Sequence, residues 1–242
     1  MKKIIFFTIL FLTFKSVTFS QSVLNYQTGT GVVVQPGADI CADQVIINGT
    51  FSGGGTICGA NAYVLNLTAL IQGFYNPSFD IMISDTVKVY LRDASFPYAL
   101  VDSSKNLLSS SGVGTFIFPN AVNATNYYIV LTHRNSIETW SGSGNAFVSG
   151  SLTYDFTTAA NKAYGDNQIQ VDNAPVKFAI YSGDVNQDGV VDGGDGAIIE
   201  NEAFNFVTGY VNSDVNGDDV VDGSDGAIAD NNSFNFIGKI IP

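Results

Sequence analysis

Between residues 63 and 180, apolar and polar side chains alternate with a period of two in one run after another. Leu65, Leu67, Ala69 and Ile71 share a face; Val87, Val89 and Leu91 alternate with Lys88, Tyr90 and Arg92; Phe116 and Phe118 flank Ile117. Tyr127 to Thr132 is a β-branched and aromatic run, and Phe147, Leu152, Tyr154, Phe156, Ile169, Val171, Val176, Phe178 and Ile180 continue the pattern. Successive side chains of a strand point to opposite faces, so each run predicts a half-buried strand. Turn clusters at Asn76-Pro77-Ser78, Ser109 to Gly112 and Ser141 to Gly144 separate them. Roughly seven such strands in one module predict an antiparallel, Ig-like β-sandwich over residues 63–180, and a mainly β protein.

The stretch before it, residues 21–62, is glycine-rich, with short β-like runs at Gly31 to Val34, Gln44 to Asn48 and Thr56 to Cys58. It is too short to build much of a core alone, and its turns suit a small β-hairpin region leaning on the next module. Cys41 and Cys58 have sixteen residues between them. In an exported chain they are expected to pair, a closure of roughly 3 kcal/mol; two buried thiols is the alternative. Residues 1–20 read as a signal peptide. Lys2 and Lys3 precede the apolar run Ile4 to Phe14, and Thr18-Phe19-Ser20 supplies small residues before a cut near Ser20-Gln21. Lys15 interrupts that run too early for a membrane span, and no second apolar span follows. The expected location is secreted or cell-surface.

At the C-terminal end, residues 181–242, the period changes. DVNQDGVVDGGDGAIIENEAFNFV (184–207) aligns with DVNGDDVVDGSDGAIADNNSFNFI (214–237), offset by thirty, with sixteen of twenty-four positions identical. Each unit opens with twelve residues crowded with side-chain oxygens. Asp184, Asn186, Asp188, Asp192 and Asp195 occupy positions 1, 3, 5, 9 and 12; Asp214, Asn216, Asp218, Asp222 and Asp225 repeat them. Position 7 of a calcium loop gives only its backbone carbonyl, so an apolar side chain is free to stand there, as Val190 and Val220 do. Ca²⁺ takes six to eight oxygens, and alternate positions of a curled loop can aim that many inward. Two ions are therefore expected. A strand-like stretch, Val176 to Tyr181, stands where an entering helix would be, so each unit reads as a loop followed by one exiting helix. Ile198, Phe204 and Phe206 are expected to pack against Ile228, Phe234 and Phe236 about a pseudo-twofold axis.

Charge sharpens this division. Charged residues are 13% of the chain, against about 25% in ordinary soluble domains. From Tyr181 onward stand twelve acids and one base, Lys239, so nearly all of the formal charge of −12 belongs to the repeat. Like charges this dense oppose compaction unless cations join them. Nothing forms a basic patch, so nucleic acid is not an expected partner.

On this spacing the two units resemble the paired calcium repeats of type I dockerins, over the last quarter of the chain. The resemblance implies two Ca²⁺ sites at the positions named, metal-dependent folding, and docking to a cohesin-like or other surface protein, often in assemblies that degrade polysaccharide. The chain departs from that pattern at position 6, Gly189 in one loop but Asp219 in the other, so the second site is expected to be weaker. Gly193-Gly194 and Gly223-Ser224 replace the hydroxyl residues usual in cohesin contact, and the basic helix residues are absent; the module's own β-sandwich is therefore an alternative partner. The upstream module, on Thr125 to Ser141, is similar to β-sandwich segments of secreted bacterial surface proteins.

Catalytic constellations are sparse. Glu138 is the one Glu in residues 21–180; it would have to pair with Asp155 or Asp93 for glycoside hydrolysis. His133 is the only histidine, expected at a solvent-facing strand end, and no zinc set can be assembled. The expectation is a non-catalytic protein. The alternative is a carbohydrate-binding module with a structural calcium tail, using Trp140 for glycan contact beside Tyr75, Tyr127 and Tyr128; packing in a core is the commoner fate of such residues.

Overall fold

The computed structural model describes residues 63–242 throughout and, before them, the backbone of six short strands between Val23 and Cys58. The expected signal peptide lies outside the described residues. The chain divides into two compact units, Met1–Ala60 and Asn61–Pro242.

In the first unit, β1 (Val23–Tyr26), β2 (Gly31–Val33) and β3 (Asp39–Cys41) pair with β4 (Gln44–Ile47), β5 (Thr50–Ser52) and β6 (Thr56–Cys58). All three pairings are parallel: β1 with β4, β2 with β5, β3 with β6. This corrects the hairpin expectation. A hairpin reverses the chain between neighbours, whereas here two further strands intervene before the chain returns to lie beside the first. The register sets Cys41 directly opposite Cys58; the disulfide itself concerns side chains outside the described residues.

The second unit is built on two facing sheets. In one, β12 (Val113–Phe118), β7 (Tyr63–Thr68) and β16 (Ser151–Asp155) lie in that order. In the other the order is β11 (Leu100–Leu108), β10 (Asp85–Asp93), β13 (Asn126–His133), β14 (Ser136–Trp140), and β15 (Asn145–Ala146) also pairs with β13. Short pairs flank them: β8 (Tyr75–Asn76) with β9 (Ile81–Met82), and β17 (Ile169–Asn173) with β18 (Val176–Ala179). The sandwich is antiparallel except at β16, which runs parallel to β7; the connection between them builds the five-stranded sheet and, midway, returns to add β12 on the other side of β7. The period-two positions do what the alternation predicts. Leu65, Leu67, Val87, Val89, Leu91, Phe116, Phe118, Tyr127, Ile129 and Leu131 are buried in one core.

After β18 come two helices, α1 (Gly193–Phe204) and α2 (Gly223–Phe234). Each starts with the same device. Asp192 and Asp222 are N-caps, and Asp195 and Asp225 reach back to the cap's own N–H, completing a capping box. A second core gathers Val185, Val191, Ile199, Val215, Val221 and Ala229. The expected phenylalanine packing is not what forms it. Phe204, Phe206, Phe234 and Phe236 are 82%, 87%, 83% and 91% exposed. The loop valines at positions 2 and 8 point inward in their place, because the curled loops bring four of them together before the helices begin. Ile198 and Ile228 only flank that core.

Candidate metal centre

Each loop is held by hydrogen bonds from its own backbone to the side chains at positions 1, 3, 5, 9 and 12. In the first, Asp184 accepts from the N–H groups of Asp188 (3.1 Å) and Gly189 (3.2 Å), Asn186 Oδ1 from Asp188 (2.8 Å), and Asp188 Oδ1 from Val190 (3.0 Å). Asp192 Oδ1 accepts from Gly194, and Asp195 from Val185, Asn186 and Asp192. In the second, Asn216, Asp218, Asp222 and Asp225 accept from the corresponding donors, but Asp214 accepts from Gly217 and Asp218, both at Oδ1, while its Oδ2 faces Arg134 rather than the position-6 N–H. Position 7 is fixed by exchange between the units. Val190 bridges Gly238, which follows α2, and Val220 bridges Thr208, which follows α1. Val191 N–H donates to Ile237 O and Val221 N–H to Val207 O. These paired contacts are the pseudo-twofold relation the repeat predicts.

Among the described residues no three Asp, Glu, His or Cys side chains converge as a ready-made metal cluster. The donors in each loop are spread instead over carboxylates, an Asn oxygen and a backbone carbonyl, with every carboxylate partly turned to loop N–H groups. A carboxylate holding one or two N–H donors keeps lone pairs for a cation, and an all-oxygen set suits a hard one. The electrostatics agree. Burial, then the neighbouring carboxylate of Asp195, pushes Asp184 up to about 6. Burial also raises Asp225. At Asp184 buried acid stands beside acid with no Lys or Arg paired to it among the described residues, a counter-charge that a cation held by these side chains would provide.

The sandwich reaches this centre through the β13–β14 turn, and sequence reasoning did not foresee it. Arg134, with a side chain 9% exposed, lies 3.1 Å (Nε) from Asp85 Oδ2 and 3.2 Å (Nη2) from Asp214 Oδ2. It also donates to Val211 O and stacks on Tyr210 and Phe74, 4.4 and 5.2 Å from the ring centroids. Next to it, Asn135 Nδ2 donates to Asp214 O (2.7 Å), and its own carbonyl accepts from Gly183 N–H. Ile137 enters the second core. At Gly73 a Cβ would come within 2.1 Å of Val215 O, so only glycine lets the backbones approach this closely. Gln72 and Asn232 exchange side-chain contacts across the same seam. The repeat is thus docked on its own sandwich. A cleft of about 470 Å³ beside the seam is lined by Phe74, Pro77 and Ile81 on one side and Asn216 and Asp218 on the other.

His133 is not at a solvent edge. It is buried, with Nε2 donating to Asp85 Oδ2 (3.0 Å) and Nδ1 accepting from Ser136 (3.1 Å). Burial pushes its pKa down despite the Asp85 carboxylate, so it is neutral at pH 7. Burial would raise Asp85, but hydrogen bonds from His133, Tyr210 and the Thr86 N–H hold it below the usual carboxylate range. Trp140 is also buried, its Nε1 donating to Glu138 Oε1 (2.7 Å) and its ring edged by Tyr98 and Tyr128; it offers no open face for a sugar. Tyr75 and Tyr127 are buried as well. An Arg next to the lone His, both on a hairpin tip with an Asn, was the available signal for this seam, but only the fold shows what the tip touches.

No protein-family profile matches the chain, and no curated protein matches it. Among solved structures the chain is similar to a C-terminal interface mutant of the type II cohesin–X–dockerin complex from Acetivibrio cellulolyticus, at 16% identity and a TM-score of 0.42, covering 74% of this chain and 97% of that one. An N-terminal interface mutant of the same kind of complex matches at 16% identity and a TM-score of 0.39, covering 72% and 97%.

Proposed function

We propose that the protein is an exported, non-catalytic calcium-binding protein whose repeat, residues 181–242, mediates attachment or assembly at the cell surface by docking a protein partner of the cohesin kind or another surface protein. The observation that carries the reading is the duplication itself. Two loops thirty residues apart hold the same oxygens in the same hydrogen-bonded curl, and each unit ends on two exposed phenylalanines. Asp184, Asn186, Asp188, Val190, Asp192 and Asp195 would hold one Ca²⁺, and Asp214, Asn216, Asp218, Val220, Asp222 and Asp225 the other. Phe206 and Phe236 stand just beyond the helix ends at φ of 54° and 56°, a backbone region that bulky residues rarely occupy. Strain of this kind, repeated symmetrically and spent on exposing aromatics, supports a partner surface over a packing role. The catalytic alternative loses its residues: His133 is enclosed and Glu138 is engaged by Trp140.

Calcium titration of the full chain by calorimetry is the first test, with two ions expected and thermal stability falling in chelator. Fewer than two saturable sites, or melting unchanged by chelator, would overturn the calcium reading. For the partner, the Phe204→Ala/Phe234→Ala double variant should keep both ions and lose retention of the calcium-loaded chain on the source cell surface. Unchanged retention would overturn the docking reading.

A further inference from the structure

The outward face of the five-stranded sheet breaks two ordinary rules of sheet surfaces. Lys88 on β10 stands directly opposite Lys105 on β11. Like charges in that position repel, and among the described residues neither lysine makes an ion pair. Lys88 leans instead over the Tyr90 ring, 4.5 Å from its centroid. Four residues along the same strand, about 13 Å away, comes Arg92. Its Nη1 donates to Tyr98 O, its guanidinium covers Trp140 at 5.5 Å, and its buried Nε has no partner among the described residues. The face is also aromatic where a two-layer sandwich exposes polar residues. Arg92 is opposite Tyr128, and Tyr90 is in line with Val130 and Trp140. Tyr98 and Tyr164 edge onto Tyr128, and Phe96, 86% exposed, edges onto Tyr98. Tyr98 takes a left-handed φ of 56°, strain for a bulky residue that presents its ring on this side. Two acids stand nearby, Glu138, which accepts from Trp140, and Asp93, at the foot of the strand, which accepts from the Ser95 N–H, and neither pairs with Lys88 or Lys105.

We propose that this face binds an anionic polysaccharide, carboxylated or sulfated, lying along β10 between β11 and Tyr128 of β13, clear of the buried Val130 and Trp140. Lys88, Lys105 and Arg92 meet its acid groups, and Phe96, Tyr98 and Tyr128 meet its ring faces. An unrelieved lysine pair is a local cost that an anionic ligand removes, and aromatic rings beside it suit sugar rings. Burial, then the neighbouring Tyr164 and Tyr98 phenols, pushes the Tyr128 phenol up; three phenols brought together supply donors for ring hydroxyls. Three cations on a chain of net charge −12 do not suit the denser charge of nucleic acid. The calcium loops are not part of this face, so the inference stands or falls separately from the calcium reading.

The test is affinity electrophoresis of the full chain, at one calcium concentration, in carboxymethylcellulose, chondroitin sulfate and neutral hydroxyethylcellulose. At least one anionic polymer should retard the protein, and the neutral one should not. The Lys88→Ala/Lys105→Ala double variant should lose about tenfold in affinity while melting at the same or a higher temperature, because the repulsion is gone. Phe96→Ala, at an exposed turn, should weaken binding without affecting folding. Equal retardation by neutral and anionic polymers, retardation by none, or undiminished binding by the double variant would overturn the proposal.

Discussion

The two twelve-residue loops begin from nearly the same sequence and make nearly the same internal hydrogen bonds, yet their first carboxylates have different neighbours. Asp184 is buried beside Asp195 and Asp188 with no Lys or Arg paired to it among the described residues, and its carboxyl is pushed up to about 6. Asp214 is buried beside Arg134, which the sandwich supplies and which also pairs with Asp85. One loop therefore depends on an added cation for its counter-charge, and the other already has one. A duplicated sequence need not give duplicated sites when only one copy faces a charged neighbour.

The largest test of that contrast removes what the loops share. Asp195 and Asp225 are fully buried, and each holds backbone N–H groups of its loop and helix start. Replacing either by Ala should cost about 3 kcal/mol in urea unfolding, and the two losses should match. A large inequality would show that the loops differ at their shared closing residue as well. Next, Arg134→Met should destabilise the calcium-free chain by about 3 kcal/mol, since Asp85 and Asp214 both lose a buried partner. In saturating calcium the loss should shrink, and by linkage the second site should then bind Ca²⁺ more tightly than in the wild type. Equal losses with and without calcium would break the claim that Arg134 acts as that loop's counter-charge.

Titration gives a smaller effect on the same seam. His133 has a folded pKa below its ordinary value, so it contributes stability that is full above about pH 6.5 and is lost as the pH falls, because the unfolded chain takes up the proton first. Asp85, held below its usual range, acts with the same sign at lower pH. Between pH 7 and 5 the wild type should therefore lose more stability than His133→Gln, by at most about 1.4 kcal/mol per pH unit. A variant with the wild-type slope would place the titrating group elsewhere. The smallest test swaps position 6. Gly189 and Asp219 both have positive φ, 94° and 65°, so Asp219→Gly should gain a few tenths of a kcal/mol and Gly189→Asp lose about 1 kcal/mol. A Cβ at Gly189 would also press on the Lys239 side chain, 2.9 Å away. Calorimetric melts of the two variants would measure the difference.

Much of the candidate site was legible because it is local. A loop whose carboxylates cap its own N–H groups and start its own helix is specified within about twelve residues, and Asp192 with Asp195 shows it. The phenylalanines were misread because a helical pattern tells which residues share a face, not whether another element covers that face. His133 was misread for the converse reason: it ends a strand that another segment happens to bury, and the same kind of burial puts Trp140 in the core rather than at a sugar.

By itself, then, the sequence determined the strands of the sandwich, the two loops, the helices that follow them and the concentration of negative charge in the repeat. These follow from periodicity and spacing within short windows. Only the tertiary structure decided that the first unit's strands pair in parallel, that the β13–β14 turn plugs the repeat, and that Arg134 joins one loop and not its copy. Such contacts join residues far apart in the chain, 80 positions apart for Arg134 and Asp214, and their energy depends on burial that no local pattern encodes.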